Sequence, residues 1–262
     1  MRIALLILSL IILVSCGGIK KDSSLLPASS GKYGEVLIVI DTIFEKAKTG
    51  EAINKIFFQA FEGLPQQEYQ FRASTVPPKA FKSILQQSRN ILKLNIKKTN
   101  KTAIKIVRDV WAKDQLMIQI NASNDDDASR ILYKNLETIR NYFNEEEVKR
   151  LQGYFSKNNQ SNLSKDLYEK DSINLLIPEG FIKMQDKGGG VWYKLEKTIG
   201  QHQVIQGLSI YTAPYNTDSV FTNNYFISNR DEFCQDFIQG ARDSSYMACL
   251  LYTSDAADEE DS

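Results

Sequence analysis

A polar stretch at residues 157–165 divides the apolar pattern of the chain in two, and neither part carries enough regular strand–helix–strand repeats for a doubly wound parallel sheet. Before it, residues 35–40 are apolar and β-branched, fit for a buried strand. Asp41 or Thr42 then caps a helix in which Ile53, Ile56, Phe57, Ala60 and Phe61 recur at helical spacing, and Gly63, Leu64 and Pro65 stop it. Residues 69–76 alternate as a strand does, and Pro77 and Pro78 open a short helix through Phe81, Ile84 and Leu85. Residues 91–96, 103–110 and 115–120 alternate again, the last two joined by a hairpin turn at Ala112, Lys113 and Asp114. Asn124, Asp125, Asp126 and Asp127 then precede one long helical pattern from Ile131 to Phe155, where acids complement the helix dipole. Beyond the polar stretch, residues 172–177, 190–195 and 204–212 read as strands. Gly188, Gly189 and Gly190 turn the chain between the first two, and residues 221–238 form a helix or a pair of helices. The expectation is an α+β fold in two mixed strand and helix units, residues 31–156 and 166–248, with the polar stretch as a linker.

The first thirty residues belong to neither unit. Met1 and Arg2 supply a short positive start, and residues 3–14 are apolar apart from Ser9, shorter than the ~20 residues a membrane-spanning helix needs. The run closes in Leu13, Val14, Ser15 and Cys16, which resembles the lipobox of bacterial lipoproteins. Small Ser15 fits beside the scissile bond, and only a thiol at position 16 offers the nucleophile for a thioether to diacylglycerol. Residues 1–15 are thus expected to be a lipoprotein signal peptide, with Leu13, Val14 and Ser15 as the signal-peptidase recognition residues and Cys16 as the lipidation site. The covalent diacylglycerol and fatty acyl on Cys16 are the only prosthetic groups expected. Each buried CH₂ of such chains contributes about 0.8 kcal/mol, so several acyl chains hold a protein on a membrane. Residues 16–30, rich in Gly, Lys and Ser, read as a flexible tether.

At the other end, residues 249–262 resemble the translation of a sequencing adapter, so the natural chain is expected to diverge after Ala248, with the second unit truncated there. Omitting Arg2 from the 32 bases and Asp255, Asp258, Glu259, Glu260 and Asp261 from the 32 acids leaves a net charge of about +4. That mild bias argues for neither nucleic acid nor a strongly acidic partner. Of the three cysteines, Cys16 is assigned to lipid and Cys249 to the tail, which leaves Cys234 without a disulfide partner.

Leu64, Pro65, Gln66, Gln67 and Glu68, then Arg89, Asn90 and Ile91, then Ile177, Pro178, Glu179, Gly180 and Phe181 resemble a family of uncharacterised Bacteroidetes lipoproteins, the domain of unknown function DUF4837. Ser30 and Gly31 after the tether, and Ser245, Tyr246 and Met247, match it as well. The resemblance implies an envelope lipoprotein and a chain that continues past the adapter point. It implies no activity.

Candidate chemistry is sparse. The only histidine, His202, lies between Gln201 and Gln203 in what reads as a hairpin loop, away from any nucleophile-elbow serine or cysteine, so no catalytic residue is assigned. Zinc needs clustered Cys and His, which are absent. Residues 121–127 lack the central glycine and closing glutamate of a calcium loop, so no metal site is assigned and the acids read as a helix cap. Gly188, Gly189 and Gly190 lack the spacing of a phosphate loop. Glu68, Glu179 and Asp186 are the carboxylates that a glycan hydrolase would have to pair. Tyr33, Trp111, Trp192, Tyr193, Tyr211 and Tyr215 are candidates for a glycan or peptide groove, and Lys20, Lys21, Lys97, Lys98 and Lys101 for anionic lipid.

The functional expectation is a non-enzymatic lipoprotein of the cell envelope and periplasm, lipid-anchored to the outer membrane with its face left open, with a binding, structural or assembly role. Its partners are the membrane, through the anchor, and an envelope protein or glycan, with no nucleic acid. The alternative is an envelope hydrolase acting on glycan or peptide through carboxylates.

Overall fold

The structure, a computed structural model, describes residues 25–61, 67–240, 242 and 245–247. Leu13, Val14, Ser15, Cys16, the signal peptide, most of the tether, the helix stop at Gly63, Leu64 and Pro65, and the tail from Cys249 lie outside the described residues. The chain forms two compact units, one of residues 1–60 and 68–147, the other of residues 61–67 and 148–262.

The first unit is a five-stranded sheet of order β2-β1-β3-β5-β4, made of β1 (Glu35–Val39), β2 (Arg72–Val76), β3 (Asn90–Ile96), β4 (Ala103–Arg108) and β5 (Leu116–Ala122). The pairs β1/β2, β1/β3 and β3/β5 are parallel, and β4 returns antiparallel to β5 through the hairpin expected around Lys113. Period-two alternation divides the side chains between two covers. Val36, Ile38, Leu92, Leu94, Leu116, Ile118 and Ile120 face helices α2 (Lys48–Phe57), α3 (Asp125–Lys134) and α4 (Leu136–Phe155). Leu37, Val39, Ile91 and Met117 face Phe81, Leu85, Val110 and Trp111 on the other side. With both faces covered, these strands read as nearly continuous apolar runs.

Asp41 caps the short helix α1 (Thr42–Glu45), its side chain accepting from the Ile43 amide. Helix α2 ends at Phe57, four residues before the apolar spacing does: Ala60 forms a bridge with Tyr69, and the Phe58 and Tyr69 rings meet edge to face at 5.7 Å. The long helical pattern after Asp127 is two helices. Asn135 breaks it, its side-chain amide donating to the Ile131 carbonyl at 2.7 Å and its own N–H to Leu132, a local alternative that asparagine offers a helix backbone. Pro77 and Pro78 open turns, and the helix expected there is a 3₁₀ segment at Ser83–Gln87. The tether was expected to run to Ser30, but Pro27 and Ser29 already exchange backbone hydrogen bonds with Lys113, and Ser30 with Gln87 and Arg89.

In the second unit the polar stretch read as a linker enters helix α5 (Ser161–Asp171), because Leu163 and Leu167, one turn apart, pack into an apolar cluster. The strand expected at residues 172–177 is absent. Ile173, Leu175 and Ile177 do alternate into the core, but the segment joins no ladder. The strands are β6 (Ile182–Lys187), β7 (Gly190–Ile199) and β8 (His202–Tyr211), an antiparallel sheet of order β6-β7-β8. Gly188 (φ 57°) and Gly189 (φ 80°) make the first turn, where both central residues need positive φ. Gly200 (φ 63°) opens the second. One face of this sheet, through Val191, Tyr193, Leu195, Leu208 and Ile210, packs on α5. The other is only partly covered, by α6 (Asn223–Phe237). The molecule is an α+β fold. No described helix is long and apolar enough to cross a membrane.

Candidate functional site: an aromatic trough in the second unit

The partly covered face is built from the odd positions of β8 and the even positions of β7. Trp192 anchors it, 8% exposed and packed against Phe233 and Phe237, whose rings stack at 4.2 Å with 4° between their planes. Two glycines make room. A Cβ at Gly190 would meet the Phe237 ring at 2.8 Å, and one at Gly207 would meet the Trp192 indole at 1.9 Å, so the indole lies flat on the β8 backbone where a side chain would otherwise stand.

Beyond the Trp192 anchor the sheet and helix diverge. Between them runs a trough of about 950 Å³ whose floor is Ile205, Gly207, Ser209 and Tyr211 and whose wall is Tyr225, Phe226, Asn229, Phe233 and Cys234. Pro214, Tyr215 and Phe221, on the chain that crosses from β8 to α6, close one end. Tyr215 donates a short hydrogen bond to Asp218, which pushes its hydroxyl pKa up. The volume is within the ~300–1,000 Å³ range of small-ligand sites. Arg230, ion-paired with Asp231 at 2.9 Å, is the one charged residue among the described residues that line the trough. The lining is apolar and wet: Ile205, Tyr211, Tyr215, Phe221 and Phe226 are all at least half exposed. Burial pushes the Cys234 thiol pKa up, so it sits in the wall as a neutral, weakly reactive group.

Of the six aromatics singled out in the sequence, Trp192, Tyr211 and Tyr215 come together in the trough. Tyr193 points through the sheet into the opposite core, 1% exposed, its hydroxyl pKa raised by desolvation. Trp111 packs edge to face on Phe81 at 5.3 Å in the first unit, and Tyr33 stands exposed there. Phe221, Tyr225, Phe226, Arg230, Phe233 and Gly207 were not singled out. Gly207, isolated in a strand pattern, was the available signal that something packs directly on the backbone there.

The polar candidates are engaged in structure. His202 opens β8 as an exposed residue opposite Ile199. Asn124 caps α3, accepting from the Asp127 amide at 2.9 Å. Asp125 caps α2 instead: its carboxylate accepts from the Lys48 and Thr49 amides at 3.2 and 3.1 Å and from the Thr49 hydroxyl at 2.5 Å. The amide cradle with which a helix start takes an anion is thus filled by the chain's own carboxylate. Asp126 and Asp127 pair with Lys48 and Arg130. Of the three hydrolase carboxylates, Glu68 and Glu179 are exposed, while Asp186 bonds Lys170 and Lys183, with Asp166 on Lys183 from the other side. Lys97, Lys98 and Lys101 lie exposed in the loop after β3, and Lys20 and Lys21 fall outside the described residues.

The first unit holds the buried charges. Glu147, 1% exposed on α4, accepts from Arg89 at 2.8 Å and from the Asn90 side chain at 2.6 Å, and Asn90 also donates to the Glu35 carbonyl at 2.9 Å. Neighbouring Glu146 takes Arg108 at 3.1 Å. These bonds tie α4 to β1, β3 and β4.

Comparison with known families divides the chain in the same order. Residues 29–156 match the model of a domain of unknown function, DUF8532. Residues 160–259 match that of DUF4837, the family anticipated from residues 177–181. Ser30, Gly31, Leu64, Pro65, Gln66, Gln67, Glu68, Arg89, Asn90 and Ile91, which also carried that resemblance, lie in the part that matches DUF8532. The DUF4837 match runs past Ala248, where the natural chain was expected to diverge. No curated protein and no solved structure is similar to the chain.

Proposed function

We propose that this is a lipid-anchored binding protein of the cell envelope, seated on the outer membrane through Cys16, whose aromatic trough takes an apolar segment of an envelope polypeptide. The trough carries the reading: exposed aromatic surface concentrated on one face marks a binding site far more often than it marks a bare fold. Tyr and Phe side chains supply large contact area at low entropic cost, and Ser209 and Asn229 supply orientation. The hydrolase reading has less behind it, because Asp166 and Asp186 share Lys183 outside the trough and no Asp or Glu is among its described lining residues.

Both halves of the proposal can be tested in cells. A clickable palmitate analogue should label the wild type and leave Cys16→Ser unlabelled, and membrane fractionation should place the label with the outer membrane. A photo-crosslinking amino acid at Phe226 should trap discrete polypeptide adducts that the same probe at Lys98 does not. Equal labelling of Cys16→Ser would remove the anchor, and identical adducts at both positions would remove the trough.

A further inference from the structure

The trough is flanked by an open sheet edge. β8 pairs with β7 along ten residues, from Ile199↔His202 to Gly190↔Tyr211, and among the described residues no strand pairs with its outer side. An unpaired edge of this length presents alternating N–H and C=O groups, a demand that an extended polypeptide strand meets and a glycan or an acyl chain does not. Natural edges are protected by lysine, proline, inward charges or extreme shortness. β8, of sequence HQVIQGLSIY, has none of these: no Lys, Arg, Asp, Glu or Pro in ten residues. Ile205 and Tyr211 stand 58% and 50% exposed on it, and Ile199 at the hairpin end is 62% exposed.

We propose that a second copy of this chain occupies that edge, β8 pairing antiparallel with β8 about a two-fold axis to give one continuous six-stranded sheet. The argument is self-complementarity: the edge calls for a free, extended, uncharged strand, and the same edge supplies one. No like charges oppose across the seam, since the strand carries no Lys, Arg, Asp or Glu. A two-fold axis along the sheet normal keeps equivalent faces on the same side. Ile205, Gly207, Ser209 and Tyr211 of both copies therefore share the trough face, and exposed Ile205 gains a cross-strand neighbour. The dimer goes beyond the binding role proposed above, since a ligand enters the trough from its face and the partner strand joins at its edge.

Sedimentation velocity on the full chain over a wide concentration range should show a monomer–dimer equilibrium. Ile205→Lys and Ile205→Glu should each sediment as monomer with unchanged circular dichroism, and an equimolar mixture of the two should recover the dimer. Hydrogen exchange of the β8 amides should slow as wild-type concentration rises. A monomer at every concentration would overturn the proposal. So would a dimer that survives Ile205→Lys, since its interface lies elsewhere, or β8 amides equally protected in the monomer, since the chain's own residues then cover the edge. Loss of crosslinking at Phe226 with the dimer intact would count against the trough reading alone.

Discussion

The first unit buries both faces of its sheet and both of its internal acids, whereas the second buries one face and leaves much of the other wet. In the first, Val36 and Ile38 look toward helices and Leu37 and Val39 toward the Phe81–Trp111 pair, so each strand is covered twice. In the second, β7 is nearly as buried at Val191, Trp192 and Tyr193, while β8 beside it is largely exposed. The contrast separates two uses of apolar surface. Area removed from water within the chain contributes about 25 cal/mol per Å² to folding, while area left in water contributes only when a partner covers it. The first unit spends its apolar surface on stability, and the second leaves part of it open to solvent.

The chain's two tryptophans, Trp111 and Trp192, fall one in each unit, so Trp111→Phe and Trp192→Phe variants give each unit its own fluorescence reporter. The sharpest test of the contrast substitutes the same residue type in both. Phe143, 0% exposed on the sheet-facing side of α4, should cost about 3–5 kcal/mol of stability as Phe143→Ala, read from the denaturant midpoint of Trp111. Phe226, 56% exposed on the trough wall, should leave the Trp192 midpoint nearly unchanged as Phe226→Ala while removing trough binding. Comparable stability losses at the two positions would break the comparison.

Glu147→Ala probes the buried charges of the first unit. Removing one partner of a buried pair takes from Arg89 and Asn90 the carboxylate that both bond, at a cost of about 3–5 kcal/mol. Glu147→Gln, which keeps an acceptor for Asn90, should recover part of it. Gly207→Val acts in the second unit. Its Cβ would overlap the Trp192 indole and force it off the β8 backbone, an overpacking cost of about 1–3 kcal/mol with a red-shifted Trp192 emission. An unshifted emission would mean that the indole does not lie on Gly207.

The same contrast explains what could be read from the sequence. The strands β1, β3, β4 and β5 were legible because two-sided or alternating burial writes itself into composition. β6, with every residue exposed, left no apolar pattern and was missed. Residues 172–177 misled for the converse reason: Ile173, Leu175 and Ile177 alternate because they are buried, and alternation records burial without saying whether a ladder partner exists. The pairing of parallel neighbours was hidden too, because β1, β3 and β5 meet through contacts more than twenty residues apart in sequence. Half of the trough was legible. Trp192, Tyr211 and Tyr215 stood out as aromatics, but Phe226, Asn229 and Phe233 belong to a helix of low amphipathicity in which exposed Phe226 stands among Asn224, Ser228 and Arg230 while Phe233 is buried, so periodicity could not separate lining from core.

Cys234 offers a slower readout of the second unit. In a Cys16→Ser, Cys249→Ser background it is the sole thiol, and its burial and raised pKa keep the thiolate scarce. Labelling by an aromatic disulfide should be slow in the native state and rise to the rate of a free cysteine on unfolding. An apolar ligand seated in the trough should slow it further, because Cys234 is part of the wall.

The smallest effect expected is electrostatic, and its sign is fixed by the Asp186 cluster. The hydrogen bond from Lys170 is the main cause holding the Asp186 carboxyl below the ordinary aspartate value, and that from Lys183 adds to it against the opposing effect of burial. Because the folded pKa is depressed, the unfolded chain takes up the proton first as pH falls. The stabilisation is therefore complete above the ordinary value of ~3.9 and is lost as pH drops from there through the folded value. Lys183, raised chiefly by its bond to Asp166, behaves in mirror image: its contribution is complete below the ordinary lysine value of ~10.4 and fades as pH climbs through the folded one. The groups are partly exposed, so solvent and salt screen both effects. The Trp192 midpoint should accordingly be flat between these limits and fall modestly outside them. Asp186→Asn should remove the acid-side decline, since no carboxylate remains to protonate; a decline that persists in Asp186→Asn would assign it to another group.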